Sequence, residues 1–152
     1  GNQPAQLVFD HNTVLQSGSI MIVYGNGDGR PLPIDDLHFT NNLVLHNDTG
    51  IFGDGVGIGN AAIVAYLRRE TIRRNVIAGG DASRYPRDNF FPSTAELDAQ
   101  FVDGPGGDYR LKPSSPYASA ATDGQAVGAS VAALRRGLPR SPFASDVFTR
   151  PR

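Results

Sequence analysis

The segments FDHNTVL (9–15), FTNNLVL (39–45) and IRRNVIA (72–78) are versions of one pattern, in which an asparagine interrupts an apolar run. Aligned on Asn12, Asn42 and Asn75, they lie 30 residues apart (12 to 42) and 33 apart (42 to 75), a period typical of chains built from stacked repeats. Phe9, Phe39 and Ile72 stand three positions before the Asn, and Val14, Val44 and Ile77 two positions after it. The first two copies extend further, through Leu7 and Leu37 upstream and Leu15 and Leu45 downstream; Glu70 and Ala78 break this outer pattern in the third.

Leu7 and Phe9 alternate as one strand face does, but the apolar phase slips across the Asn, so the chain must bend there. Asn tolerates the left-handed backbone that a tight bend demands. If each copy is one turn of a winding chain, Asn12, Asn42 and Asn75 lie above one another and their carboxamides form a ladder. Such a ladder satisfies buried donors and acceptors that would otherwise cost about 1–3 kcal/mol each. The competing reading makes the Asn residues hairpin turns of an antiparallel sandwich, but hairpins recur about every 8–12 residues. Further strand candidates fall between the copies: SIMIVYG (19–25), GIF (50–52) and AAIVAYL (61–67), the last readable also as a short helix. Loops rich in Gly and Pro separate them at 25–33, 53–60 and 79–92.

The chain's 152 residues fit one globular domain. Its net charge of −1 favours neither nucleic acid nor an anionic membrane as partner. Cysteine is absent, which excludes disulfides, thiolate zinc sites and a cysteine nucleophile. No apolar run is long enough to span a membrane as a helix, and no secretory leader is visible, though one removed from a precursor would leave no trace.

With the asparagine rungs and their apolar brackets in view, residues 5–129 resemble the right-handed parallel β-helix proteins of the pectin lyase-like superfamily. The segment AQFVDGPGGDYRLKPSSPYASAATDGQAVGA (99–129) adds to the likeness, since it is similar to the closing segment of bacterial β-helix proteins: a strand, D-Y-R-L, S-P, then T-D-G…V-G-A. The resemblance implies an all-β fold, a short right-handed parallel β-helix (solenoid) with irregular loops, in which residues 1–129 supply about three to four coils and the closing segment. Residues 130–152 are then a C-terminal capping tail, where Val131, Leu134 and Leu138 form an apolar stripe suited to a short helix over the last coil. Members of the superfamily usually carry more coils and an N-terminal cap; here GNQPAQ leads straight into the first repeat. An uncovered end coil exposes core and strand edges, so the expectation is a C-terminal piece of a longer protein, a homo-oligomer joined through the exposed N-terminal coil, or a later segment folded back over it.

The superfamily's enzymes mostly act on acidic polysaccharides along the outer face of a parallel sheet, with calcium or basic residues. No catalytic motif of theirs can be placed on this chain: the columns before the rung, Asp10/Thr40/Arg73 and His11/Asn41/Arg74, repeat no acid pair. Catalytic residues are therefore not assigned. The substrate-binding candidates are Arg68, Arg73, Arg84 and Arg87, which offer bidentate contacts to uronate carboxylates or sulfates, with Tyr66 and Tyr85 to stack on a sugar face. Pairing with Glu70, Asp81 and Asp88 would neutralise most of that patch, which also contains Arg69 and Arg74. His46, Asp48 and Asp54 carry donors a divalent cation such as calcium accepts, although such residues more often cap turns. Asp35 and Asp36 beside His38 are an acid–base candidate, weakened because neighbours on a strand face opposite ways.

The resulting expectation is a C-terminal module of an extracellular or periplasmic bacterial β-helix protein that binds or helps process a polysaccharide or oligosaccharide. The rival expectation is a non-catalytic structural module that self-associates through its open coil end.

Overall fold

A computed structural model describes residues 5–25 and 32–130. The segment 26–31 and the tail 131–152, with Val131, Leu134 and Leu138, lie outside the described residues. In chain order the elements are β1 (Ala5–Asp10), β2 (Thr13–Val14), β3 (Met21–Val23), β4 (Ile34–Thr40), β5 (Leu43–Leu45), β6 (Ile51–Gly53) and β7 (Gly57–Ile58). There follow α1 (Asn60–Tyr66), β8 (Leu67–Arg68), β9 (Thr71–Arg73), β10 (Val76–Ala78), α2 (Thr94–Asp98), β11 (Phe101–Asp103) and β12 (Asp108–Leu111). The class is all-β.

The 30- and 33-residue spacings of the asparagines are also the register of the sheets. β1 pairs in parallel with β4, Leu7 opposite Leu37 and Phe9 opposite Phe39; β4 pairs in parallel with β8 and β9, Phe39 opposite Ile72. On the other side of the bend β2, β5 and β10 pair in parallel, placing Val14, Val44 and Ile77 in one row. A third sheet joins β3 to β6 in parallel, Met21 opposite Ile51, and β7 adds to it as a hairpin partner. Parallel pairing between copies rules out the hairpin reading, because a hairpin forces antiparallel neighbours. None of these sheets closes on itself among the described residues.

The row of apolar residues either side of each bend builds the main core, where Leu37, Phe39, Val44, Ile51, Ile72 and Ile77 pack together with α1's Ile63 and Tyr66. The segment 61–67, left open between strand and helix, is helix up to Tyr66 and strand from Leu67. A second core lies on the opposite face of β5 and β10, where Leu43, Val76 and Ala78 meet Leu97, Phe101 and Val127. These two strands are thus covered on both faces, which is why they read as unbroken apolar runs. Ser93 and Glu96 form a reciprocal capping box at the start of α2, whose Leu97 plugs the second core.

The closing segment begins as the hairpin β11–β12 and then runs back across the bends. Thr122 bonds Asn41, Gly128 N–H donates to the Asn41 carbonyl at 2.8 Å, and Ala129 N–H donates to Thr13 Oγ1 at 2.9 Å. The chain therefore leaves the described fold beside the first copy.

Candidate functional site

The expected ladder is present, and it has one rung more than the repeat predicts. Asn12 Nδ2 donates to Asn42 Oδ1 at 2.8 Å, Asn42 Nδ2 to Asn75 Oδ1 at 3.0 Å, and Asn75 Nδ2 to Asn89 Oδ1 at 2.9 Å. Each accepting oxygen also takes the backbone N–H of the preceding rung. The second amide hydrogens of Asn42 and Asn75 go to the carbonyls of Phe9 and Phe39. Asn89 ends the ladder by donating to the carbonyls of Ile72 and Pro86. It follows Asn75 by 14 residues, across a short loop, and its Phe91 repeats the apolar residue two positions on.

The left-handed residue of each bend is not the rung itself, as expected, but the residue before it: His11, Asn41 and Arg74, with φ of 52°, 57° and 57°. A second stack of left-handed residues, Gln6, Asp36 and Arg69, repeats at the same spacings. The side chains before the rung are used. His11 approaches the Gly128 carbonyl and Asp123, Asn41 bonds Asp10 and Thr122, and Arg74 pairs with Asp88. Gly128 (φ 87°) lies against Thr13 and Leu43 so closely that a Cβ would come within 2.5 Å of Thr13 Oγ1, leaving glycine as the residue that fits.

The predicted sugar site is mostly dismantled. Tyr66 and Tyr85 are buried, at 2% and 3% exposure, so neither ring can stack on a ligand. Tyr66 donates to the Asp54 carbonyl at 2.6 Å, while Tyr85 Oη accepts the Ile51 N–H and its ring meets His46 edge-on. Burial pushes the Tyr85 phenol up, so it stays neutral. Stacking on a sugar needs an open ring face, and both rings instead fill the main core.

Arg68 is held bidentate by Asp35, Arg69 by Asp36, and Arg84 faces Asp81. The Arg69 hydrogen bond holds the Asp36 carboxyl below its ordinary range. The partners of Arg68 and Arg69 are thus one repeat upstream rather than at Glu70, and the Asp35–Asp36 acid–base candidate is consumed by them. Arg73 and Arg87 are exposed and make no ion pair among the described residues.

His46, Asp48 and Asp54 do not converge. His46 is buried, with Nδ1 at 2.8 Å from the Asn47 carbonyl, whereas Asp48 and Asp54 are exposed. Among the described residues no three histidines or carboxylates are grouped to hold a metal, so the calcium chemistry implied by the resemblance has no fitting donor set there. No described helix is long and apolar enough to cross a membrane.

What remains is the outward face of the first parallel sheet. Its rows are Val8, His38 and Thr71, and Asp10, Thr40 and Arg73. Asp10 Oδ1 accepts from Thr40 Oγ1 at 2.6 Å and Asn41 Nδ2 at 2.8 Å, so the acid is held in the sheet. With the Thr40 hydroxyl spent on Asp10, the face offers a guanidinium, the Thr71 hydroxyl and an imidazole, groups suited to donating hydrogen bonds to an oxygen-rich anion. No protein-family model, curated protein or solved structure matches the chain.

Proposed function

We propose that the chain is a module of a right-handed parallel β-helix, of the pectin lyase-like kind, working outside the cytoplasm and holding an acidic polysaccharide on the outward face of its first sheet. Support for the coil reading is that two sheets share the 30- and 33-residue offsets of one amide ladder and a third shares the 30-residue offset. Parallel crossovers are overwhelmingly right-handed, which sets the hand.

The observation that carries the ligand reading is Arg73. It stands at the end of a row of side chains on that face, and its guanidinium is free of carboxylates among the described residues. A planar fork of donors matches a uronate carboxylate or a sulfate. Arg87, on the following loop, is the second cation of this kind.

Calorimetric titration of the protein with oligogalacturonate and with an uncharged oligosaccharide of equal length tests this. Binding of the acidic ligand alone is expected, with Arg73→Ala weakening it about tenfold, the scale of one lost charge-assisted contact. Equal binding of both ligands, or none of either, overturns the reading.

A further inference from the structure

The amide ladder has a direction, and its two ends complement each other. Each rung gives its backbone N–H and one amide hydrogen to the Oδ1 of the next, Asn12 to Asn42, Asn42 to Asn75 and Asn75 to Asn89. At the first end both amide hydrogens of Asn12 are committed, to Asn42 Oδ1 and the Asp10 carbonyl, and the exposed Asn12 Oδ1 accepts from no described residue. At the last end the reverse holds. Both Asn89 amide hydrogens go to the carbonyls of Ile72 and Pro86, and the Asn89 N–H finds no acceptor among the described residues.

The backbone beside the rungs is complementary in the same sense. Leu43, Val76 and Phe90 donate their N–H groups to the carbonyls of Asn12, Asn42 and Asn75. Successive residues of a strand turn these groups to opposite sides, so Thr13, in the outermost strand β2, faces away from β5. Phe90 spends both of its groups on the copy before it, the N–H on Asn75 and the carbonyl on the Ile77 N–H. The Asn89 carbonyl and the Phe91 N–H therefore face outward, and neither is bonded among the described residues. Along that edge runs a groove of about 560 Å³ lined by Asn89, Phe90, Phe91, Glu96 and Tyr117, in the place where a next strand would lie. The first end, for its part, leaves Phe9 43% and Val14 45% exposed, although both belong to rows that are buried in the middle copies.

We infer that a second copy of this chain docks head to tail, its residues 12–14 entering the groove along residues 89–92 as the next rung. The Asn89 N–H then donates to the incoming Asn12 Oδ1, the incoming Thr13 N–H to the Asn89 carbonyl, and the Phe91 N–H to the incoming Thr13 carbonyl, which is the pattern that already joins the copies within one chain. The incoming Val14 extends the row of Val14, Val44 and Ile77, since Val76 stands opposite Phe90 and Ile77 therefore beside Phe91. Two copies meeting at their first ends would instead set Oδ1 against Oδ1 with no donor between them. A head-to-tail contact leaves one free end of each kind, so addition does not stop at a dimer.

The chain contains no cysteine, so single thiols can be introduced cleanly. Val14→Cys and Phe91→Cys are made as two separate full-length proteins. Within one molecule the two positions are three strand spacings apart, about 14 Å, too far for a disulfide; across the joint they are neighbours. When the two proteins are mixed under mild oxidation, the disulfide between them is expected in several-fold excess over either like pair. Wild-type protein should sediment as dimers and trimers whose share rises with concentration, and Val14→Arg should return it to monomer. An excess of Val14→Cys linked to itself would show like ends meeting and overturn the inference. Random pairing, or no linkage while both thiols react with a maleimide in dilute solution, overturns it as well, as does a wild-type monomer at every concentration. If circular dichroism shows that Phe91→Cys does not fold, Thr13→Cys with Phe90→Cys repeats the test one position earlier. None of these readouts involves oligosaccharide, so failure here leaves the ligand proposal standing, and the reverse holds.

Discussion

The first two copies of the repeat have nearly the same sequence and very different surroundings. Phe9 and Phe39 hold the same position in LVFDHNTVL and LHFTNNLVL, yet Phe9 is 43% exposed and Phe39 5%; Val14 and Val44 differ as widely, 45% against 3%. Asn12 is exposed where Asn42 is fully buried. Place in the stack, rather than residue type, sets the burial. Asn42 and Asn75 each have a rung on both sides, whereas the outermost copy has no rung above Asn12 among the described residues and keeps the same apolar row exposed.

That contrast breaks most visibly at the rungs. Asn75→Leu leaves the Asn42 N–H and one Asn42 amide hydrogen without their shared acceptor, and two orphaned buried donors should cost about 4 kcal/mol in denaturant unfolding. Asn12→Leu removes two hydrogen bonds donated at an exposed end but orphans no buried donor, and should cost about 1 kcal/mol. Similar losses at both sites would mean that the rungs are not ranked by their neighbours.

The apolar row gives the next largest effect. Phe39→Ala, in the middle of the core, should cost about 3 kcal/mol. Phe9→Ala should cost about 1 kcal/mol, since nearly half of Phe9 faces water. Equal costs for Phe9→Ala and Phe39→Ala would mean that place in the stack does not set the contribution of the row.

Acidification should produce the smallest effect. The carboxyls of Asp36, held by Arg69, Asp81, held by Ser83, Glu96, held by Ser93, and Asp123, held first by the Gln125 N–H, all lie below their ordinary range. A depressed carboxyl stabilises the fold while ionised, so its contribution is complete above about pH 4–5 and fades as pH falls through the folded value. Because Asp81, Glu96 and Asp123 are exposed and Asp36 is only half-buried, the melting temperature should fall only modestly between about pH 7 and 3. Asp123→Asn, which removes the carboxylate nearest His11 of the first copy, should shrink that fall; a steeper fall would contradict the assignment.

Much of the frame was legible because it is periodic: the rung spacing, the inward row and the paired columns all repeat in the linear chain. The pairs Asp35–Arg68 and Asp36–Arg69 obey the same 33-residue offset and were readable by it, yet proximity in sequence drew attention to Glu70. Asn89 was hidden for a physical reason. A 14-residue loop replaces the full repeat, and Pro86 stands where Phe or Ile marks the other copies. The Tyr66 and Tyr85 environments were not legible, since whether an aromatic beside a polar loop turns inward depends on the space between α1 and the strands. The return path of the closing segment was equally invisible, because its contacts lie up to 117 residues apart.

The ladder is tested most directly by hydrogen exchange of the asparagine side-chain amides, followed by NMR. The carboxamide protons of Asn42, Asn75 and Asn89 should exchange orders of magnitude more slowly than those of exposed Asn60, and Asn75→Leu should release protection at Asn42. Exchange at all three as fast as at Asn60 would contradict the stacked rungs on which the fold depends.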